Sequence, residues 1–424
     1  MSLPVVITGS GVLSPLADTL EGLHGALCDG ASGIKPVELF STDGLRVRRG
    51  GEIADFRPVD YLGRGNFRPL DRTAQLVSSA AQRALDGSGW NREAVAASGE
   101  VGLVLGTLFG SVRTIAEFDR RALEAGPQYA KPMDFANSVI NAAAGQAAIW
   151  HGLGGINSTL SSGSPSGLQA LGYAAALVAQ GRSPALLAGG GEELCFESFF
   201  GFYKAGLLAG STNGAGERPH PFDARRNGFA LAEGAALLVL EPEAAARARG
   251  AAVLGRVLAS ANTFDPSRGR DAGQAQTALA TAIRQALAAA AVTPGEIVAV
   301  SSGASGSIEG DRREAAALAE ALGEHAATVP VTAVKSMLGE ALGAGGALQT
   351  LALLAALRSG RLPGVRGFEG AEAGFPLGGV TAATTDLTST GHHRAVGLVT
   401  ALGRDGHAAA LVIEGLPAVG RDAP

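Results

Sequence analysis

Residues 161–179 read SSGSPSGLQALGYAAALVA, a cluster of hydroxyl and glycine residues running into a stretch with almost no polar side chains. A helix at the surface keeps a polar stripe, and Gly167–Ala179 has none, which predicts a helix enclosed between layers. Gly343–Leu357, GAGGALQTLALLAAL, has the same character and predicts a second enclosed helix. Working outward, short apolar runs precede small-residue loops. They are Pro4–Thr8 (PVVIT) before Gly9 and Gly11, Val101–Leu105 before Gly106, and Ala185–Ala188 before Gly189–Gly191, then Ala235–Leu240 and Ile297–Val300. Near-continuous apolar strands between helices predict parallel sheets covered on both faces. Both halves begin with an apolar strand entering a small-residue loop and later carry an apolar helix introduced by Ser or Gly. A duplicated α/β chain is expected, divided into 1–245 and 246–424.

The 424 residues carry a formal net charge of −5, with 17% charged and 46% hydrophobic residues. That is enough apolar material for a large core, and it excludes general disorder. Mild acidity offers no field for phosphate backbones, so nucleic acid is not expected as a partner. Cys28 and Cys195 cannot build a disulfide framework. The start lacks a signal-peptide pattern, and no apolar stretch reaches the roughly 18 residues of a membrane span. A soluble, cytoplasmic protein is expected. The polar tail beyond Leu416 is expected to fray. His24, His151, His220, His325, His392, His393 and His407 are scattered without ligand spacing, so no metal is expected. Neither a phosphate-binding lysine loop nor a GxGxxG fingerprint occurs, and no cofactor is expected. Cys195 reads as a buried, inert thiol.

Four segments carry unusual local chemistry: Ser161–Gly167, Ser301–Asp311 (SSGASGSIEGD), Val334–Gly346 (VKSMLGEALGAGG) and Thr400–Val412 (TALGRDGHAAALV). Ser164 before Pro165 predicts a helix cap, a capping hydroxyl followed by Pro at the first helical position. The functional alternative is a nucleophile at the positive end of a helix.

These four segments, in this order, resemble the β-ketoacyl-acyl carrier protein synthases of the thiolase-like fold. Thr8–Ser14 (TGSGVLS), Ala188–Glu193 (AGGGEE) and His220–Gly234 (HPFDARRNGFALAEG) strengthen the resemblance, which spans about residues 3–415. It implies duplicated halves in an α-β-α-β-α layering. It also implies a Cys nucleophile, two His and a Lys. Motif by motif, the Cys position holds Ser164, the first His falls on Ser302, the second on Glu340, and Lys335 alone is retained. The glycine loop that helps hold the oxyanion reads Leu402-Gly403-Arg404-Asp405-Gly406. A serine hydroxyl needs a general base that a thiolate does not, and neither imidazole is left to provide it. An anionic Glu340 would oppose the developing enolate charge.

The resemblance narrows to the degenerate branch of the family, the chain-length factor or ketosynthase β subunit of type II polyketide systems. Gly403-Arg404 matches its C-terminal loop; Ser rather than Gln at position 164 leaves aromatic and reduced polyene products equally open. The implied role is non-catalytic: to pair with an active ketosynthase, complete the tunnel for the growing acyl chain, and set product length. The alternative is a Ser-dependent acyltransferase or priming enzyme using Ser164. Expected partners are the ketosynthase, in a heterodimer formed through a strand at Ile156–Leu160, and an acyl carrier protein. Arg113, Arg120, Arg225 and Arg226 are candidate contacts for the carrier. Phe109, Val112, Ile115 and Phe118 recur at three-residue steps and are expected to form one apolar stripe closing the partner's tunnel.

Overall fold

The computed structural model describes residues 2–212, 216–388 and 394–417; most of the tail expected to fray lies outside them. The enclosed helices are Ser166–Ala179 and Gly345–Ser359, and both share one core with strands from each half of the chain. Small residues allow the approach. A Cβ at Gly167 would fall 2.4 Å from the Gly343 carbonyl oxygen, so only glycine fits there.

Ten strands form the main sheet: β1 (Val5–Leu13), β2 (Gly102–Gly106), β3 (Asn157–Leu160), β4 (Leu186–Glu192), β5 (Gly234–Pro242), β6 (Gly255–Phe264), β7 (Ile297–Ser301), β8 (Val331–Thr332), β9 (Ala395–Leu402) and β10 (His407–Gly415). Their order is β8-β7-β9-β10-β6-β1-β5-β4-β2-β3. Outward from the β1–β6 junction, each side runs antiparallel, antiparallel, parallel, parallel. The topology is therefore a duplication, and only three residue pairs, Val5–Val257 to Ile7–Gly255, join the two sides.

The helices Arg72–Ser88 and Ala142–His151 cover the outer face of the first side. Ala272–Ala290 and Ile308–Leu322 cover the outer face of the second. With the enclosed helices in the middle, this is the expected α-β-α-β-α layering. Among the described residues, no helix is long and apolar enough to cross a membrane.

Two expectations need correction. The sheet is mixed rather than parallel: full burial of both faces makes antiparallel strands equally apolar, so the composition that suggested parallel pairing did not discriminate. Gly9, Gly11 and Gly189–Gly191 do not end strands but lie inside β1 and β4. There a Cβ at Gly11 would meet the Ala80 carbonyl oxygen at 1.9 Å, and one at Gly190 the Gly343 carbonyl oxygen at 2.1 Å. Neighbouring backbone, and at Gly191 the Val77 side chain, dictates those glycines rather than a turn.

Candidate functional site

Loops from the strand ends of both sides meet around a cleft of about 820 Å³, measured to where it opens into solvent. One wall is apolar: Leu108 and Phe109 after β2, with Phe202, Phe229 and Leu342. The other is polar: Gly163 and Ser164 before the enclosed helix, Gly303–Ser307 after β7, Asp311 and Glu314 of the next helix, Glu340, and the β9–β10 turn.

Lys335 and Glu340 are both buried, 5% and 7% exposed, with Nζ donating to Glu340 Oε2 at 2.7 Å and to the Gly303 carbonyl at 3.0 Å. Glu340 Oε1 accepts from the Leu342 amide at 3.0 Å, so both carboxylate oxygens are engaged. Leu342 adopts a left-handed conformation, φ 45°, uncommon for a branched residue.

Ser164 lines the cleft but does not cap the helix, a third correction. The helix starts at Ser166, and its hydroxyl, not that of Ser164, closes the turn: it accepts from the Ser162 amide at 2.9 Å and donates to the Gly163 carbonyl at 2.6 Å. Pro165 sits at the cap position, one residue later than the sequence suggested. Ser164 has no hydrogen-bond partner among the described residues, and no described histidine lines the cleft. No described side chain hydrogen-bonds that hydroxyl: Glu340 is paired with Lys335, Glu314 and Asp311 face other donors, and Asp405, the remaining carboxylate of the lining, makes no hydrogen bond to it.

Ser302 is fully buried and turned away from the cleft, donating to Glu314 at 2.8 Å. Glu314 also accepts from Thr400 Oγ1 at 2.6 Å and the Gly303 amide at 2.7 Å. Burial raises its pKa, while the hydrogen bonds of Thr400 and Ser302 and the charge of Lys335 oppose the rise. One turn earlier, Asp311 accepts from the amides of Phe222, Ser305 and Gly306, each at 3.0 Å, and burial pushes its pKa up to about 6. These two carboxylates hold the Ser301–Gly306 loop. Sequence reasoning missed Glu314, although its i, i+3 spacing from Asp311 places both on one helix face.

Glu192, at the end of β4, accepts from the amides of Leu108 (2.6 Å), Phe109 (2.9 Å) and Gly343 (3.2 Å), tying the apolar wall to the turn that carries Glu340. Burial raises its pKa to about 7. In the β9–β10 turn, Leu402, Arg404 and Asp405 line the cleft, and the Gly403 amide is committed to the His407 carbonyl at 2.7 Å. A Cβ at Gly163 would fall 2.6 Å from Asp405 Oδ1, which places that carboxylate over the loop bearing Ser164.

The apolar stripe is split. Phe109 precedes the Val112–Ala125 helix and faces this chain's own cleft, its ring 6.0 Å from that of Phe202. Val112, Ile115 and Phe118 lie on the helix, outside the cleft lining, and no residue of that helix is fully buried. The four candidate arginines are paired: Arg113 with Glu117, Arg120 with Glu197, Arg225 with Asp223 and Glu369, and Arg226 with Glu372. Cys195 is buried, and its thiol is pushed up to about 12, by burial first and then by Glu193. Among the described residues no cluster could hold a metal ion.

The family profile "Beta-ketoacyl synthase, N-terminal domain" matches residues 2–246, and "Beta-ketoacyl synthase, C-terminal domain" matches 254–369. The chain is 35% identical over 372 residues to the tetracenomycin polyketide synthase ketoacyl synthase beta subunit of Streptomyces glaucescens, covering 85% of this chain and 87% of the relative. It is 30% identical over 375 residues to the 3-oxoacyl-[acyl-carrier-protein] synthase 2 of Vibrio cholerae, covering 88% and 90%. Among solved structures, the ishigamide ketosynthase/chain length factor superposes with a TM-score of 0.90 at 26% identity, covering 98% of this chain and 100% of that one.

Proposed function

Because the chain belongs to the β-ketoacyl synthase family, we propose that it is the non-catalytic partner in a type II polyketide ketosynthase pair, a chain-length factor. The observation that carries this is the buried Lys335–Glu340 ion pair, 2.7 Å across, in the same cleft as a Ser164 hydroxyl to which no described base is hydrogen-bonded. Condensation needs a nucleophile that takes the acyl chain and donors for the enolate formed on decarboxylation. Here the nucleophile position is an unactivated hydroxyl. The lysine charge is spent on Glu340, and the carboxylate would repel an enolate. The Ser-dependent acyltransferase alternative lacks a base hydrogen-bonded to that hydroxyl.

Likeness to a ketosynthase beta subunit and to a ketosynthase/chain length factor structure supports a subunit that works in a pair. β3 is an edge strand, partly exposed, and its outer side is open to a strand from an active ketosynthase. The Val112–Ala125 helix leaves Val112, Ile115 and Phe118 incompletely covered, as side chains awaiting a partner's tunnel would be. In the pair, the growing acyl chain, delivered by an acyl carrier protein, stops when its end meets this wall; overpacking a closed pocket costs roughly 1–3 kcal/mol. The test is reconstitution with an active ketosynthase and carrier protein, followed by mass spectrometry of products. Val112→Ala is expected to lengthen the product and Val112→Trp to shorten it. An unchanged length distribution from every variant that still assembles rules out the length-setting role.

A further inference from the structure

We propose that a second cavity, on the outer face of the first side, is a binding site for a small planar hydroxyaryl carboxylate. It holds about 870 Å³ of empty space, counted out to solvent, between the Gly63–Asn66 loop and the ends of the Arg72–Ser88 and Ala142–His151 helices. The proposal is independent of the function assigned to the cleft.

Both tryptophans of the chain, Trp90 and Trp150, line this cavity. Trp150 is stacked on Phe67 at 5.3 Å, and the loop runs so close over it that a Cβ at Gly65 would fall 2.4 Å from the indole. Arg249 lies 5.3 Å over the ring of Trp90, whose buried Nε1 has no acceptor. Flat aromatic walls select a flat ligand.

The polar groups give the ligand its ends. His151 is only 7% exposed, and its Nε2 lies 2.9 Å from the Ser78 carbonyl, so Nε2 carries the hydrogen. Nδ1 is then a lone-pair acceptor with no partner among the described residues, on a side chain that lines the cavity. It calls for a donor such as a phenolic hydroxyl. Burial keeps the imidazole neutral by lowering its pKa, with the Ser78 hydrogen bond and Asp86 opposing and Arg92 assisting. At the rim, Arg64 and Arg92 have no hydrogen bond or ion pair to any described residue, although both line the cavity. Among the described residues no acid lines the cavity, and Asp86, which acts on His151 electrostatically, accepts from the Gln82 amide at 2.8 Å. Two free guanidiniums and one acceptor along the same cavity fit an aromatic ligand that carries both a carboxylate and a hydroxyl.

The test uses para-coumarate, followed by calorimetry for affinity and by tryptophan fluorescence lifetime for location, because no tryptophan lies elsewhere. Saturable binding with shortened lifetimes is expected. The methyl ester (no charge) and cinnamate (no hydroxyl) are each expected to bind roughly tenfold more weakly, and the Arg64→Ala/Arg92→Ala double variant likewise. Because both arginines are exposed, that variant leaves the fold intact. No saturable binding, binding without a lifetime change, or equal affinity of the double variant for para-coumarate overturns the proposal.

Discussion

Truncating either member of the Lys335–Glu340 pair leaves a charge stranded in a site with 6% and 8% side-chain exposure. At the 2.7 Å contact the mutual attraction is about 6 kcal/mol for an effective dielectric of about 20. Desolvation of two ions, several kcal/mol each, cancels much of that. Removing one partner forfeits the attraction and keeps the other ion's desolvation, so Glu340→Ala and Lys335→Met are each expected to cost about 3–5 kcal/mol. The double variant Lys335→Met/Glu340→Ala removes both charges. Its cost is expected to be below that of either single variant, because the remaining losses are the neutral hydrogen bonds to Gly303 and Leu342. Urea denaturation of all four proteins, arranged as a double-mutant cycle, gives the coupling directly. A coupling below about 1 kcal/mol, with the single costs simply adding, refutes the argument that the pair is a mutually dependent buried unit.

Ser164→Ala is expected to change stability by less than about 0.5 kcal/mol and to leave product formation by the reconstituted pair intact, whereas Ser166→Ala costs about 1 kcal/mol through its two turn-closing bonds; thermal melts and product assays check both. Glu192 and Glu193 have pKa values raised by burial to about 7 and about 8. The folded state holds those protons more tightly, so their contribution to stability is complete below the unfolded value of 4.5 and is lost as pH rises through about 7 and then about 8. Melting temperature should fall across that window, and Glu192→Gln should flatten the decline; a flat profile in the unmutated protein contradicts it. Gly11→Ala is expected to abolish soluble expression, since its Cβ would sit 1.9 Å from the Ala80 carbonyl oxygen. Gly25→Ala, a helical site with nothing within 4 Å, should stabilise by about 0.5–1 kcal/mol on denaturation.

The enclosed helices were legible because an apolar helix without a polar face has only one environment available to it. Strand limits were less so. Gly9, Gly11, Gly189 and Gly190 look like turns in sequence, yet the backbone that displaces their side chains belongs to residues 80, 84, 236 and 343, far along the chain. Ser164 and Pro165 carried a true capping signal whose register was set by tertiary contacts: Ser166 took the bond because Gly163, with φ 76°, turns the chain one residue later. Phe109 fell into a helical spacing, but Glu192 captures the Leu108 and Phe109 amides and keeps that segment out of the helix. Asp311 and Glu314 stand as an i, i+3 pair in the sequence, but nothing local marks them as buried, and only the packing of the Ser301–Gly306 loop against them does so.

The shared central layer also imposes a timetable on synthesis. The Ser166–Ala179 helix needs the Gly345–Ser359 helix to cover it, and about 165 residues separate the end of one from the start of the other. At about 5–20 residues per second, an apolar helix stands uncovered at the ribosome for roughly 8–33 s. Collapse of the first side in that interval has no second layer to close against, and its exposed face is open to aggregation or to capture by a chaperone. The yield of folded chain is therefore governed by translation rate between residues 180 and 345. Slow codons placed there should lower soluble expression without altering a single contact in the finished protein.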